Sequence, residues 1–280
     1  MKDIFKKLAP KSVRYQRTSL VVYVLLRTLV LLTLVRGLFL RNYETVFFCV
    51  LTLVLMFVPS FLEKKLKVEL PETLEIIILL FIFAAEILGE LNSFYVRVPH
   101  WDTALHTING FLCAAVGFAL VDLLNRSDRF SLKLSPLYLA VTAFCFSMTI
   151  GVLWEFAEYG ADNLLHTDMQ KDTVVREIYS VETDPTRSNR VMAYRNIGDV
   201  ILVYEDGTQE ALGVGGYLDI GLRDTMKDLI VNFIGAVVFC SIGYFYAKQG
   251  WNDRFMARFV PRRREGDELP AGAPGDGTTE

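Results

Sequence analysis

The chain has 280 residues, of which 52% are hydrophobic and 22% charged, with a formal net charge of −3. That apolar content exceeds what a soluble domain of this length needs for its core, and the charge excludes a basic nucleic-acid-binding surface. The four cysteines (Cys49, Cys113, Cys145, Cys240) stand far apart inside apolar runs, which excludes a disulfide framework or a zinc ribbon and leaves each as a small hydrophobe.

Residues 1–17 form a basic arm, too long and polar for a signal peptide, with no small-residue cleavage pattern after the first apolar run. A helix crosses the hydrocarbon core in roughly 20 residues. Apolar runs of that kind fall at 18–40, 43–61, 72–92, 99–125, 136–160 and 224–247. Only Arg41 and Asn42 separate the first two, so a tight helical hairpin is expected there. Pro71, Pro99 and Pro136 each stand where a helix would begin, which suits the first helical position. The segment 163–221 is polar and glycine-containing; within it, 200–204 and 208–214 flank Glu205-Asp206-Gly207 and predict a β-hairpin. The tail 249–280 is basic and then rich in Gly and Pro, and is expected to be disordered. The predicted fold is therefore all-α: a polytopic transmembrane helix bundle of about six spans (helices one to five within 18–162, helix six within 222–248). A small extracytoplasmic insertion, 163–221, carries the hairpin.

Lysine and arginine in the short loops set the orientation. The arm carries Lys2, Lys6, Lys7, Lys11, Arg14 and Arg17; the loop after helix two carries Lys64, Lys65 and Lys67; the loop after helix four carries Arg126, Arg129 and Lys133. Arg262 to Arg264 add to the C-terminal segment, whereas 163–221 holds ten Asp or Glu against five Lys or Arg. With six spans every basic segment falls on one side. Both termini are then cytoplasmic, the acidic insertion is outside, and the protein is a multi-pass component of the cell membrane.

Ionisable side chains inside spans are costly and mark function by default. Helix three carries Glu86 and Glu90, and helix four opens with Trp101, Asp102 and His106, followed by Asn109 and Gly110. Helix five ends with Trp154, Glu155, Glu158 and Asp162, and helix six opens with Asp224, Asp228 and Asn232. The spacings of three, four, seven and eight put each set on one helical face. Because helices three and five end where four and six begin, all four sets are expected in the outer half of the membrane. These carboxylates cannot all stay ionised in one apolar site; protonation, pairing or a bound cation must relieve them, with Arg36 and Arg223 as candidate partners. A divalent metal is the economical solution, held by Asp102, His106, Glu155, Glu158 and Asp228, with Glu86, Glu90, Asp162, Asp224 and Asn232 in support. Carboxylates with one imidazole suit Zn, Mn or Fe, or Mg where water completes the shell. Plainer roles compete: Asp102 and Asp224 as N-caps, Glu90 and Asp162 as solvated interface groups, His106 as a hydrogen-bonded bundle histidine, and Trp101, Trp154 and Tyr159 as an aromatic belt.

Three motifs carry a resemblance: W-D-x-x-L-H-x-x-x-G at 101–110, G-V-L-W-E-x-x-E-Y at 151–159 and D-T-M-K-D-L-I-V-N-x-x-G-A at 224–236. Together they resemble the YjdF-like bacterial membrane proteins, a family of unknown function, over about 20–247. A sparser similarity is to VanZ-like membrane proteins, although the Gln that follows their helical Glu is absent here. The resemblance implies the membrane fold and the weight of the motifs, and supplies no activity.

Three functions are weighed. The first is an outward-facing metal-dependent enzyme acting on a lipid or envelope substrate, with one carboxylate as general base and 163–221 as lid or recognition element. The second is a cation- or proton-coupled transporter, for which Arg27 and Glu75 are the few inner ionisable residues. The third is a non-catalytic sensor or scaffold. The bilayer is the one partner common to all; substrate, metal identity and oligomeric state are not encoded in the motifs.

Overall fold

The structure, a computed structural model, describes residues 17–66, 68–125, 134–249, 258–260 and 262–263. Most of the basic arm, the 126–133 loop and most of the tail lie outside them. The chain divides into two compact units: one runs to Met148 and resumes at Asn232, the other is Thr149–Val231.

In the first unit, α1 (Arg17–Phe39) and α2 (Tyr43–Leu55) form the expected hairpin. Arg41 takes a left-handed backbone (φ 53°), and the Asn42 side chain caps α2 by accepting the Thr45 N–H at 3.0 Å. Pro59 has no N–H for the preceding turn, and helical bonding breaks at Met56–Phe57 before α3 (Val58–Leu66). The strand β1 (Val68–Glu69) then leads to α4 (Glu72–Phe83), with Pro71 at its N-cap rather than its first helical position. The helix continues as a π-helix, Ala84–Leu91, whose Asn92 N–H reaches back five residues to the Ile87 carbonyl. After a single turn, α5 (Phe94–Arg97), the long α6 covers Trp101–Asn125. Pro99 precedes α6 in a turn, because His100 is left-handed (φ 61°) and its carbonyl accepts the first helical bond, from Ala104.

Helix α7 (Pro136–Leu165) starts on its proline as expected, and α8 is Leu222–Lys248. Among the described residues, five helices are long and apolar enough to cross a membrane: Thr18–Phe39, Tyr43–Lys65, Trp101–Asp122, Pro136–Leu165 and Leu222–Lys248. The expected third run occupies its place as α4 plus the π-helix, split into pieces of 12 and 8 residues.

Two apolar clusters hold the first unit. Leu26 and Val30 of α1 pack with Cys49, Met56, Leu79, Ile82 and Ile87. The larger cluster joins Leu112, Ala115 and Phe118 of α6 to Leu139 and Ala143 of α7 and to Ala236 and Phe239 of α8. Small residues bring α6 and α8 to backbone contact: a Cβ on Gly110 would overlap the Asn232 carbonyl, and one on Gly235 the Thr107 carbonyl. Arg27, mid-way along α1, lies between the rings of Tyr23 and Phe57 at 4.2 and 3.9 Å.

The second unit holds the end of α7, the start of α8 and the segment between them. The predicted hairpin is present: β5 (Ile201–Val203) pairs antiparallel with β6 (Gln209–Ala211), closed by Gly207 at φ 84°. Two further antiparallel pairs were not predicted. These are β3 (Glu177–Ser180) with β4 (Met192–Arg195), and β2 (Thr173–Val175) with β7 (Tyr217–Asp219).

The turn between β3 and β4 is built on Asp184. Its buried carboxylate accepts the N–H groups of Thr186, Ser188 and Arg190 and both hydroxyls. The Thr186 hydroxyl, then these N–H groups, hold the Asp184 carboxyl well below the usual carboxylate range. A depressed folded-state pKa contributes stability above the unfolded value, about 4, and loses it only as pH falls through the lower folded value. Amide-exchange protection at Thr186, Ser188 and Arg190 is therefore expected to hold from pH 7 to about 4. Asp184→Asn should lose it at least tenfold at pH 7; fading of the wild-type protection between pH 6 and 4 would refute the assignment.

Candidate functional site

The inward and outward faces of α7 and α8 separate cleanly. On α7, Ser147, Gly151, Glu155 and Glu158 are buried, whereas Leu153, Trp154, Phe156 and Tyr159 between them are exposed. On α8 the buried stripe reads Asp224, Asp228, Asn232, Ala236 and Cys240, a strict four-residue repeat. Asp228 and Asn232 retain 1% exposure each, and Glu155 4%. The carboxylates thus lie on the interior faces of apolar helices, as intramembrane ionisable groups do.

Within the first unit, α6 presents Asp102 and His106 one turn apart, with Oδ1 and Nε2 3.3 Å from each other. Helical bonding begins at His100, so Asp102 lies inside the first turn and is not an N-cap. His106 is buried, and the next turn carries Asn109, whose amide donates to Asn232 Oδ1 at 3.2 Å. The Asn232 amide in turn donates to the Met148 sulfur at 3.7 Å, and the Ser147 hydroxyl donates to the Gly110 carbonyl at 2.8 Å. Asn232 therefore ties α6, α7 and α8 together, with both ends of its amide engaged. Glu86 and Glu90 are in the π-helix; Glu86 is half-buried and Glu90 exposed, as an interface group is. Trp101 stacks edge-on against Phe94 with centroids 5.0 Å apart.

In the second unit, the Trp154 indole N–H donates to Glu158 Oε1 at 2.7 Å, so this aromatic orients a buried acid besides facing outward. Asp162 closes the end of α7: its carboxylate accepts the Thr167 hydroxyl and the N–H groups of Met169 and Gln170. Asp224 sits in the first turn of α8 and takes the Lys171 N–H at 2.8 Å, while the Gln170 amide donates to Thr225. Asp162 and Asp224 thus fasten the 166–172 strap across the two helix ends. The N-terminal N–H of Arg223 goes to Asp219.

Lys227 was passed over in the sequence. Its ammonium lies 2.8 Å from Asp224 and 3.5 Å from Asp228, a cation placed by the Asp-x-x-Lys-Asp spacing. Asp122, buried in the last turn of α6, was also passed over because it follows an otherwise apolar run. Burial of that kind has no signature in a one-dimensional pattern.

A family model described as "Predicted membrane protein (DUF2238)" matches residues 21–185. An uncharacterized protein of Thermotoga maritima is 28% identical over 109 residues, 39% of this chain and 54% of its own length. The match thus spans about half of that relative. No solved structure matches.

Proposed function

Starting from a chain that belongs to the DUF2238 family of predicted membrane proteins, we propose a divalent-metal-dependent membrane enzyme that acts on a lipid or envelope substrate. Asp102 and His106 hold the ion, each giving one donor atom. The observation that carries the reading is the Asp102–His106 pair on α6, its imidazole buried and 3.3 Å from the carboxylate. Gly110 and Phe118 of α6 meet Asn232 and Gly243 of α8 in turn, so the two helices run parallel.

The donor chemistry fits: an imidazole nitrogen with carboxylate oxygens suits Zn, Mn or Fe. When bound, the ion supplies Lewis-acid chemistry. Asp102 orients the His106 ring in the first unit, and in the second Trp154 orients Glu158, a buried acid of the kind a general base requires. Lys227 offsets part of the negative charge at the head of α8. The 163–221 segment lies outside the cell and both termini are cytoplasmic, while Asp162 and Asp224 hold the 166–172 strap.

A cation-coupled transporter is the second reading. It is favoured by polar groups at the other ends of the helices, where the Ser19 N–H donates to Glu72, Glu63 accepts the Leu70 N–H, and Asp122 is buried.

Elemental analysis of the purified protein beside an Asp102→Ala/Glu155→Ala variant tests the metal. Stoichiometric metal in the wild type alone is expected, and its absence from both sinks the reading. Gradient-driven cation flux into proteoliposomes, abolished by Glu155→Gln, would replace the enzyme with the transporter. For topology, a cysteine at Gly207, in an open turn, should react with an impermeant maleimide on intact cells; reaction only after lysis inverts the orientation.

A further inference from the structure

Arg27 stands within the membrane-capable span Thr18–Phe39, half-buried, with its Nε and Nη2 shielded from solvent and without a hydrogen-bond partner. A guanidinium, unlike a carboxylate, does not neutralise itself in apolar surroundings, so two such N–H groups call for an acceptor. The rings of Tyr23 and Phe57, 4.2 and 3.9 Å from the guanidinium carbon, stabilise the charge through their faces and leave the in-plane donors unmet. Nε and Nη2 share one edge of the group, and their parallel N–H bonds match two oxygens of a single oxyanion. A lone carbonyl or hydroxyl fills such a fork only by half.

Position decides where the oxyanion comes from. Val24 and Leu31, on the same face of α1 as Arg27, are exposed, and so is Phe57. This face therefore meets lipid. A helical side chain leans toward the N-terminus, and the guanidinium accordingly reaches the Tyr23 ring, one turn back and about 8 Å along the helix from Thr18. A hydrated ion would have to shed its water to come so far. A lipid carries its phosphate on tails already in the hydrocarbon, and a cation below the interface draws head groups inward. Phe57 stands where helical bonding breaks between α2 and α3, so a turn of its exposed ring opens the fork to the bilayer.

We propose that Arg27 is an oxyanion seat, taking the phosphate of an anionic membrane lipid bidentately through Nε and Nη2 while Tyr23 and Phe57 steady the guanidinium. It fixes one lipid against the α1–α2 hairpin. None of the residues proposed to hold the ion takes part, so the seat stands or falls apart from the metal reading.

The test is native mass spectrometry of the full chain, delipidated in detergent and titrated with phosphatidylglycerol. One tightly held copy per chain is expected, with retention at least ~tenfold lower in Arg27→Gln and at least ~threefold lower in Arg27→Lys, which keeps the charge and loses the fork. Arg36→Gln, in the last turn of α1, is expected to retain lipid as the wild type does. Phosphatidylglycerol should also raise Tm in the wild type and not in Arg27→Gln. Equal retention in wild type and Arg27→Gln overturns the proposal. So does an equal loss in Arg36→Gln, which would mean general attraction to basic residues, and so does undiminished retention in Arg27→Lys, which would leave the fork without a role. Inorganic phosphate held in equilibrium dialysis by the delipidated wild type, and not by Arg27→Gln, would assign the seat to a free anion and overturn the lipid as its source.

Discussion

Alanine at Gly110 or at Gly235 is expected to destabilise the folded protein by about 3 kcal/mol, the upper range for overpacking. In the folded state a Cβ at either position meets a main-chain carbonyl of the facing helix, Asn232 for Gly110 and Thr107 for Gly235. A side chain can turn aside from such an overlap; a helix backbone cannot, so α6 and α8 must separate. Separation exposes Phe118 and Phe239, stacked 6.0 Å apart, and strains the Asn109–Asn232 bond. In detergent, a fall in Tm of about 10 °C is the corresponding readout. Gly160 is the control: nothing lies within 4 Å of its added Cβ, and it sits within α7, so Gly160→Ala should be neutral or mildly stabilising through helix propensity. Equal losses at all three glycines would show that the close approach of α6 and α8 is not what these residues serve.

The second large effect is on metal-linked stability. If the ion binds only the folded chain, saturating Zn or Mn at about 100 times its Kd should add about 2.7 kcal/mol. His106→Ala and Asp102→Ala should each weaken that stabilisation at least ~100-fold in metal concentration, beyond the 10–100-fold typical of supporting groups. Asp162→Asn and Asp224→Asn are expected to behave differently. They loosen the 166–172 strap, raising exchange at Met169, Gln170 and Lys171, and leave the metal response in place. The response should also weaken in acid, because protons compete for imidazole and carboxylate donors. A thermal shift with metal that is the same in wild type and His106→Ala would assign the stabilisation to adventitious surface carboxylates.

Much of the fold was legible because a membrane forces long, uniform signals. Apolar length located α1, α2, α6, α7 and α8 to within a few residues, and Asn42 and Pro136 mark helix starts by chemistry that depends on no partner. The β5–β6 hairpin was legible for the same reason, since Asp206-Gly207 encodes its own turn. The pairing of β2 with β7 was not, because three-residue strands more than forty positions apart carry no periodic signature. The π-helix was equally hidden: Ala84–Leu91 has the composition of an ordinary helix, and a one-residue change of hydrogen-bond register leaves no compositional trace.

The site divides in the same way. Spacing alone determined that Asp102 with His106, Glu155 with Glu158, and Asp224 with Asp228 and Asn232 share faces, because helix periodicity is a property of a single segment. Tertiary structure decided which of them are structural. Asp162 and Asp224 are consumed by a strap, and Asn232 is engaged at both ends of its amide. Those roles depend on which donors a distant segment brings within about 3 Å, and distance in space is what a linear pattern does not contain.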